Sequence, residues 1–249
     1  MADWGDDEKG GRMRGVVFVH GALVRDGEWW WRPVAERLEA EGGVTSRAVL
    51  LPSCGETAAP AGSAGLADDA AALRDTLDEF DEAVVVGHSY GGTVIAEGAD
   101  HPAVRHLVYI SSYLPDTGEA QGGIMADEPD PVRVAMTEDG CVRVDGLDEA
   151  AFAARFLNDV PDESVPAEAW SRVVPQGFGA FATPTTGAAW QGRESTALVC
   201  LDDMGTSVGL QRRHAARATH AVELPTGHHP FLSRPDLVAS ELSRILRSL

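Results

Sequence analysis

The stretch "VVGHSYGG", residues 85–92, decides how this chain is read. The apolar run "AVVV" (83–86) leads into it and "GTVIAEGA" (92–99) continues it. These flanks predict a buried strand, a tight turn and a helix. Ser89 sits in the turn with Gly87 and Gly91 on either side. A plain strand-to-helix turn needs one glycine. Glycine on both sides implies that side chains there would collide with the strand and helix around the serine. G-x-S-x-G in this setting is the pattern of a nucleophile elbow, which lifts Oγ above the sheet and aims the first helical N–H groups at the same spot. The alternative, a capping serine in an ordinary turn, does not explain the paired glycines.

Working outward, similar apolar runs recur: "GVVFVH" (15–20), "SRAVLL" (46–51), "AVVVGH" (83–88), "HLVYIS" (106–111), "TALVCL" (196–201) and "HAVEL" (220–224). Near-continuous apolar strands suit a sheet covered on both faces. Helical patterns fall between them at 31–41, 66–80, 91–99, 207–218 and 234–248. Alternating strand and helix predicts an α/β fold with a mostly parallel, doubly wound sheet. Residues 116–195 break the pattern, with helix-like pieces at 148–158 and 166–173 and no strong strand. Eighty residues is too long for a loop, so the segment is expected to be a helical cap inserted into a core of 15–115 and 196–249. Residues 1–14 are expected to form a flexible tail.

With 249 residues and 44% hydrophobic content, the chain has enough apolar material for a sizeable core. A net charge of −19 would repel a phosphate backbone, which argues against a nucleic-acid partner. The acidic, polar start has no apolar signal core, and no stretch is long and apolar enough to span a bilayer, so a cytoplasmic protein is expected. Cys54, Cys141 and Cys200 are scattered without metal-ligand spacing, which predicts free thiols and no metal.

A serine hydroxyl is a weak nucleophile at neutral pH and needs a base, with a third group to orient that base. In folds with this elbow the chain order is serine, acid, histidine. Asp202 and Asp203 follow the strand "TALVC", and His228 and His229 lie in "PTGHHPF" before the last helix. An oxyanion hole is also required. Besides the N–H of Tyr90, the loop after the first strand ("VHGAL", 19–23) offers the N–H of Ala22.

The segments "FVHGA", "VVVGHSYGGTVIA", "RHLVYISSYLPDTGE", "STALVCLDDMG" and "LPTGHHPFLSRPDL" together resemble the α/β-hydrolase superfamily. More closely, they resemble its small-esterase branch, which includes plant methyl-ester esterases, hydroxynitrile lyases and bacterial homologues. The resemblance implies Ser89 as nucleophile, His228 as base, and Ala22 with Tyr90 as oxyanion donors. The family's C-x-x-D spacing favours Asp203 over Asp202, and G-H-x-P-F favours His228 over His229. Two departures stand out. "LVRDGEWWW" is about two residues longer than usual, which leaves the oxyanion loop's shape open. The lyases carry Thr at position 21 and Lys after the histidine, where this chain has Gly21 and His229, so cyanohydrin cleavage is disfavoured.

The expected function is a cofactor-independent serine hydrolase acting on a small, largely apolar ester, thioester or lactone. A biosynthetic enzyme on the same fold, performing acyl transfer, cyclisation or C–C cleavage, is the alternative. A ligand-binding protein would show a broken triad, and this one is complete. Phe181 and Trp190 are the expected pocket aromatics, because they precede the acid-bearing strand. The partner is a small molecule. Oligomeric state is open, a homodimer included.

Overall fold

The structure is a computed structural model that describes residues 13–249. Of the expected tail, residues 1–12 lie outside the described residues, and Arg14 already belongs to a strand. The strands are β1 (Arg14–Val19), β2 (Thr45–Ala48), β3 (Glu82–His88), β4 (Val104–Ile110), β5 (Val134–Met136), β6 (Cys141–Val144), β7 (Gln176–Gly177), β8 (Ser195–Cys200) and β9 (His220–Leu224). The helices are α1 (Gly27–Gly42), α2 (Leu66–Leu77), α3 (Gly91–Gly98), α4 (Gln121–Met125), α5 (Glu149–Phe156), α6 (Val165–Trp170), α7 (Gly179–Ala182), α8 (Val208–Ala215), α9 (Pro230–Ser233) and α10 (Pro235–Leu246).

Six strands form one sheet in the order β2-β1-β3-β4-β8-β9, and every pairing is parallel. Successive residues of a strand point to opposite faces, and here both faces are covered. Val17, Val19, Val85 and Leu107 pack with Leu73, Leu77 and Ile95 of α2 and α3. Val16, Phe18, Val84 and Val86 pack with Trp31, Leu38 and Leu242 of α1 and α10. This two-sided burial is why the strands read as unbroken apolar runs. Strand order reverses at β1, which neighbours both β2 and β3, so the loops after β1 and β3 diverge and leave a crevice at their carboxyl ends.

Residues 116–195 carry short helices as expected, but also strands. β5, β6 and β7, of two to four residues each, form a small antiparallel sheet beside those helices. Cys54, Cys141 and Cys200 are free and buried. Among the described residues, no helix is long and apolar enough to cross a membrane.

Candidate active site

Ser89 follows β3 with φ +50°, a left-handed conformation strained for a residue with a side chain. The flanking glycines make room for it. A Cβ on Gly87 would lie 2.7 Å from the carbonyl carbon of Gly91, and one on Gly91 would lie 2.4 Å from the Val19 carbonyl oxygen. The turn is therefore closed to larger residues on both sides of the serine. α3 starts directly behind Ser89, so its N-terminal dipole points at the serine.

Asp203 and His228 come together across the ends of β8 and β9. His228 Nδ1 lies 2.9 Å from Asp203 Oδ2 and 3.1 Å from Oδ1, with both side chains buried. Ser89, His228, Ala22 and Phe181 line one cavity, which holds about 750 Å³ of empty space including its open mouth. Burial would raise the Asp203 pKa, but the charge and hydrogen bond of His228, with the Ser111 hydroxyl and Thr206 N–H, hold it below the ordinary value. Gly205 and Thr206 donate backbone N–H bonds to Oδ1 at 2.7 and 2.9 Å, and Gln211 Nε2 donates to Oδ2 at 2.9 Å. Asp202 is exposed, and its carbonyl accepts from Asn158.

The N–H groups of Ala22 and Tyr90 donate to no protein acceptor among the described residues. A Cβ on Gly21 would stand 3.4 Å from Ser89 Cβ, so the loop carrying Ala22 runs beside Ser89. The long loop after Ala22 is held from two sides. Leu23 and Asp26 both take positive φ. Val24 bridges Val173, Arg25 N–H donates to Arg172 O, and Asp26 N–H donates to Glu56 Oε1 at 2.6 Å. Glu56 also accepts from His20 Nε2 at 2.7 Å, while His20 Nδ1 donates to Gly21 O. Burial alone would depress the His20 pKa, but Glu56 and the Gly21 carbonyl hold it above the ordinary value.

Several positioning residues carried no sequence signal. Ser111, at the end of β4 with φ +43°, donates to Asp203 Oδ2 and lies 3.0 Å from His228 Nδ1. Ser112 Oγ donates to the Ser89 carbonyl at 2.6 Å. A buried chain of hydrogen bonds links the Ser89 turn to the loop after β1. Tyr90 OH and Ser53 Oγ donate to Asp69 Oδ2, Gln176 Nε2 donates to Ser53 Oγ, and Leu23 N–H donates to Gln176 Oε1. Asp159 Oδ2 accepts from Gly227 N–H beside the base. An apolar strand ending in serine is the only local hint, at Ser111.

Of the expected pocket aromatics, Phe181 lines the cavity and stacks on Tyr90 at 6.0 Å. Trp190 does not. Its indole donates to Pro115 O, and it lines a separate groove with Arg193, Arg217 and Thr219, beside the starts of β8 and β9. Catalytic loops leave the opposite, carboxyl ends of those strands, so a residue just before β8 lies at the wrong edge.

His88, His228 and His229 each place one ring nitrogen within 4.8 Å of the others. One nitrogen of each is already engaged: His88 Nε2 with His228 O, His229 Nδ1 with Phe156 O, and His228 Nδ1 with Asp203. His228 Nε2 has no hydrogen-bond partner among the described residues. Burial pushes His229 down to about 3 and His88 well below its ordinary value, so both stay neutral.

The His229 shift predicts a stability slope. An unfolded ring takes a proton at about 6.5 and the folded one at about 3. Its contribution is complete above 6.5 and is lost as the pH falls toward 3, by about 1.4 kcal/mol per pH unit. In urea unfolding, His229→Gln should lose about 2 kcal/mol less than the parent between pH 6.5 and 5. Equal losses would contradict the shift.

Residues 16–241 match the α/β-hydrolase family. The chain belongs to that family. This α/β-hydrolase is 31% identical over 188 residues to the α/β-hydrolase nvfD of Aspergillus novofumigatus, covering 69% of this chain and 74% of that one. It is 28% identical to a carbendazim-hydrolysing esterase of a Nocardioides species, across 94% of this chain and 100% of the other. Its fold matches that of a pyrethroid hydrolase from Sphingobium faniae with a TM-score of 0.77, at 24% identity, over 93% and 97% of the two chains.

Proposed function

We propose that this α/β-hydrolase cleaves a small, largely apolar, uncharged ester through an acyl-enzyme on Ser89. The observation that carries the reading is the Asp203–His228 pair at 2.9 Å opening on the same cavity as the strained Ser89. Ser89 Oγ attacks the substrate carbonyl carbon as His228 Nε2 takes the hydroxyl proton. Asp203 holds the Nδ1–H tautomer and stabilises the imidazolium that forms. The unengaged N–H groups of Ala22 and Tyr90 receive the negative charge that develops on the carbonyl oxygen. His228 then returns the proton to the leaving alcohol, and a water activated by the same imidazole hydrolyses the acyl-enzyme.

Charge and lining favour a neutral substrate. Leu23, Val24, Val132, Phe152 and Phe156 supply apolar surface, and Glu128 stands in the same wall. That carboxylate and the net charge of −19 repel anions. The named relatives include an esterase, which supports ester cleavage over the other chemistries of this fold. No helix suited to crossing a membrane is found among the described residues, consistent with action on a dissolved small molecule.

The test is pre-steady-state turnover of short p-nitrophenyl esters with substrate in excess over enzyme. A burst of p-nitrophenol equal to the enzyme concentration, followed by slower steady release, is the expected result. Hydrolysis that never acylates Ser89, judged by the absence of an acyl adduct in quenched enzyme, would overturn the covalent route.

A further inference from the structure

Beyond the triad and the Ala22 and Tyr90 N–H groups, the cavity wall contains a side-chain donor with no acceptor among the described residues. Gln121, the first residue of α4, is 1% exposed and lines the cavity. Its Oε1 accepts from the Thr93 hydroxyl at 2.5 Å, which orients the amide. Its Nε2 donates to no group among the described residues, and it is not sealed among the partnerless buried atoms, so it opens on the cavity. The other polar side chains in that wall are engaged. Tyr113 OH pairs with Thr206 Oγ1 at 3.1 Å, and the Glu128 carboxylate accepts from Ser207 N–H at 3.0 Å. A nearly buried amide N–H group needs an acceptor, and here the acceptor must enter through the cavity.

We infer that Gln121 is a substrate-recognition subsite for a second, neutral oxygen acceptor on the ester: a ketone, ether or further ester carbonyl. The inference rests on the reading of Ser89 as an esterase nucleophile. Thr93, which anchors the amide, follows Ser89 by four residues at the start of α3, and Gln121 and Ser89 line the same cavity, so the gap between the subsite and Ser89 lies within that one cavity. An ester with an oxygen a few bonds from its scissile carbonyl spans that gap. A carboxylate would also accept from the amide, but Glu128 in the same wall repels it. The enzyme therefore prefers oxygenated neutral esters to hydrocarbon ones of equal length. A site built around a hydrogen bond discriminates against the analogue that lacks it.

The test compares p-nitrophenyl hexanoate with its 4-oxo and 5-oxo counterparts, each kcat/KM corrected for its alkaline hydrolysis rate. At least one oxo ester should be favoured by about tenfold. Gln121→Met should bring that ratio to about one, while Thr93→Ser, which keeps the anchoring hydroxyl, should preserve it. If Gln121→Met fails to fold, Gln121→Glu, close in shape but lacking the neutral amide donor, should lower the ratio instead. No oxo preference in the parent enzyme, or a preference that survives in Gln121→Met, would overturn the subsite. Calorimetry of the Ser89→Ala variant with methyl hexanoate and its oxo analogues reads the same ratio without turnover. Absence of hydrolysis would thus count against the esterase reading, while the binding ratio decides the subsite separately.

Discussion

Asp203→Asn should lower kcat by about 10⁴ with little change in KM, the loss that follows when the base is held in the wrong tautomer. Asp203 accepts the Nδ1–H of His228 and leaves Nε2 free to take a proton. An asparagine amide turned toward Nδ1 would donate instead, moving the imidazole proton to Nε2 and leaving Ser89 without a base. Asp202→Asn should change kcat by less than about twofold, because its side chain is exposed and its contact with the site runs through its backbone. Steady-state kinetics on both variants, with matched melting temperatures, check the pair. A large loss in Asp202→Asn and a small one in Asp203→Asn would reassign the acid.

His228→Ala should lower kcat by about 10⁶, comparable to removing the nucleophile, because the members of a triad act as a unit. A residual rate above that in water should remain from the oxyanion donors and binding. His229→Gln should stay within about tenfold of the parent. Its ring donates to Phe156 O and stacks on Trp30 at 5.0 Å, so it packs the loop that carries His228 with one nitrogen already engaged. Its pKa of about 3 also keeps it from titrating in the working range. A greater loss in His229→Gln than in His228→Ala would mean that the adjacent histidines exchange roles.

The legible parts of the site are those encoded locally. Gly87-His88-Ser89-Tyr90-Gly91 states much of its own geometry, because Gly87 is demanded by the start of the following helix, whereas Gly91 is demanded by the Val19 and His20 carbonyls at the end of the neighbouring β1. Strand-end loops in the right chain order narrow the acid to Asp202 or Asp203 and the base to His228 or His229, and only the family resemblance chooses Asp203 and His228. Ser111, Glu56, Gln176, Asp69 and Asp159 carry no such signal. Each acts on a residue far along the chain, as in the Leu23–Gln176 bond across 153 positions, and a polar residue leaves no periodic trace of such a partner. β5, β6 and β7 were missed because strands of 3, 4 and 2 residues are too short for alternation to register. Trp190 shows the opposite failure. It precedes the strand that leads to Asp203, but that strand begins at the end of the sheet away from the site. The expected β2 also ran too far. The chain leaves the ladder after Ala48, while Val49 and Leu51 stay buried and keep the apolar pattern going.

A fluorophosphonate probe needs only an activated serine in an oxyanion hole, with no knowledge of the natural substrate, and so addresses Ser89 directly. Peptide mapping of the labelled protein should place one adduct, on Ser89, and Ser89→Ala should take up none. Labelling at Ser111, Ser112 or any other serine, or labelling that persists in Ser89→Ala, would contradict the assignment of Ser89 as the nucleophile.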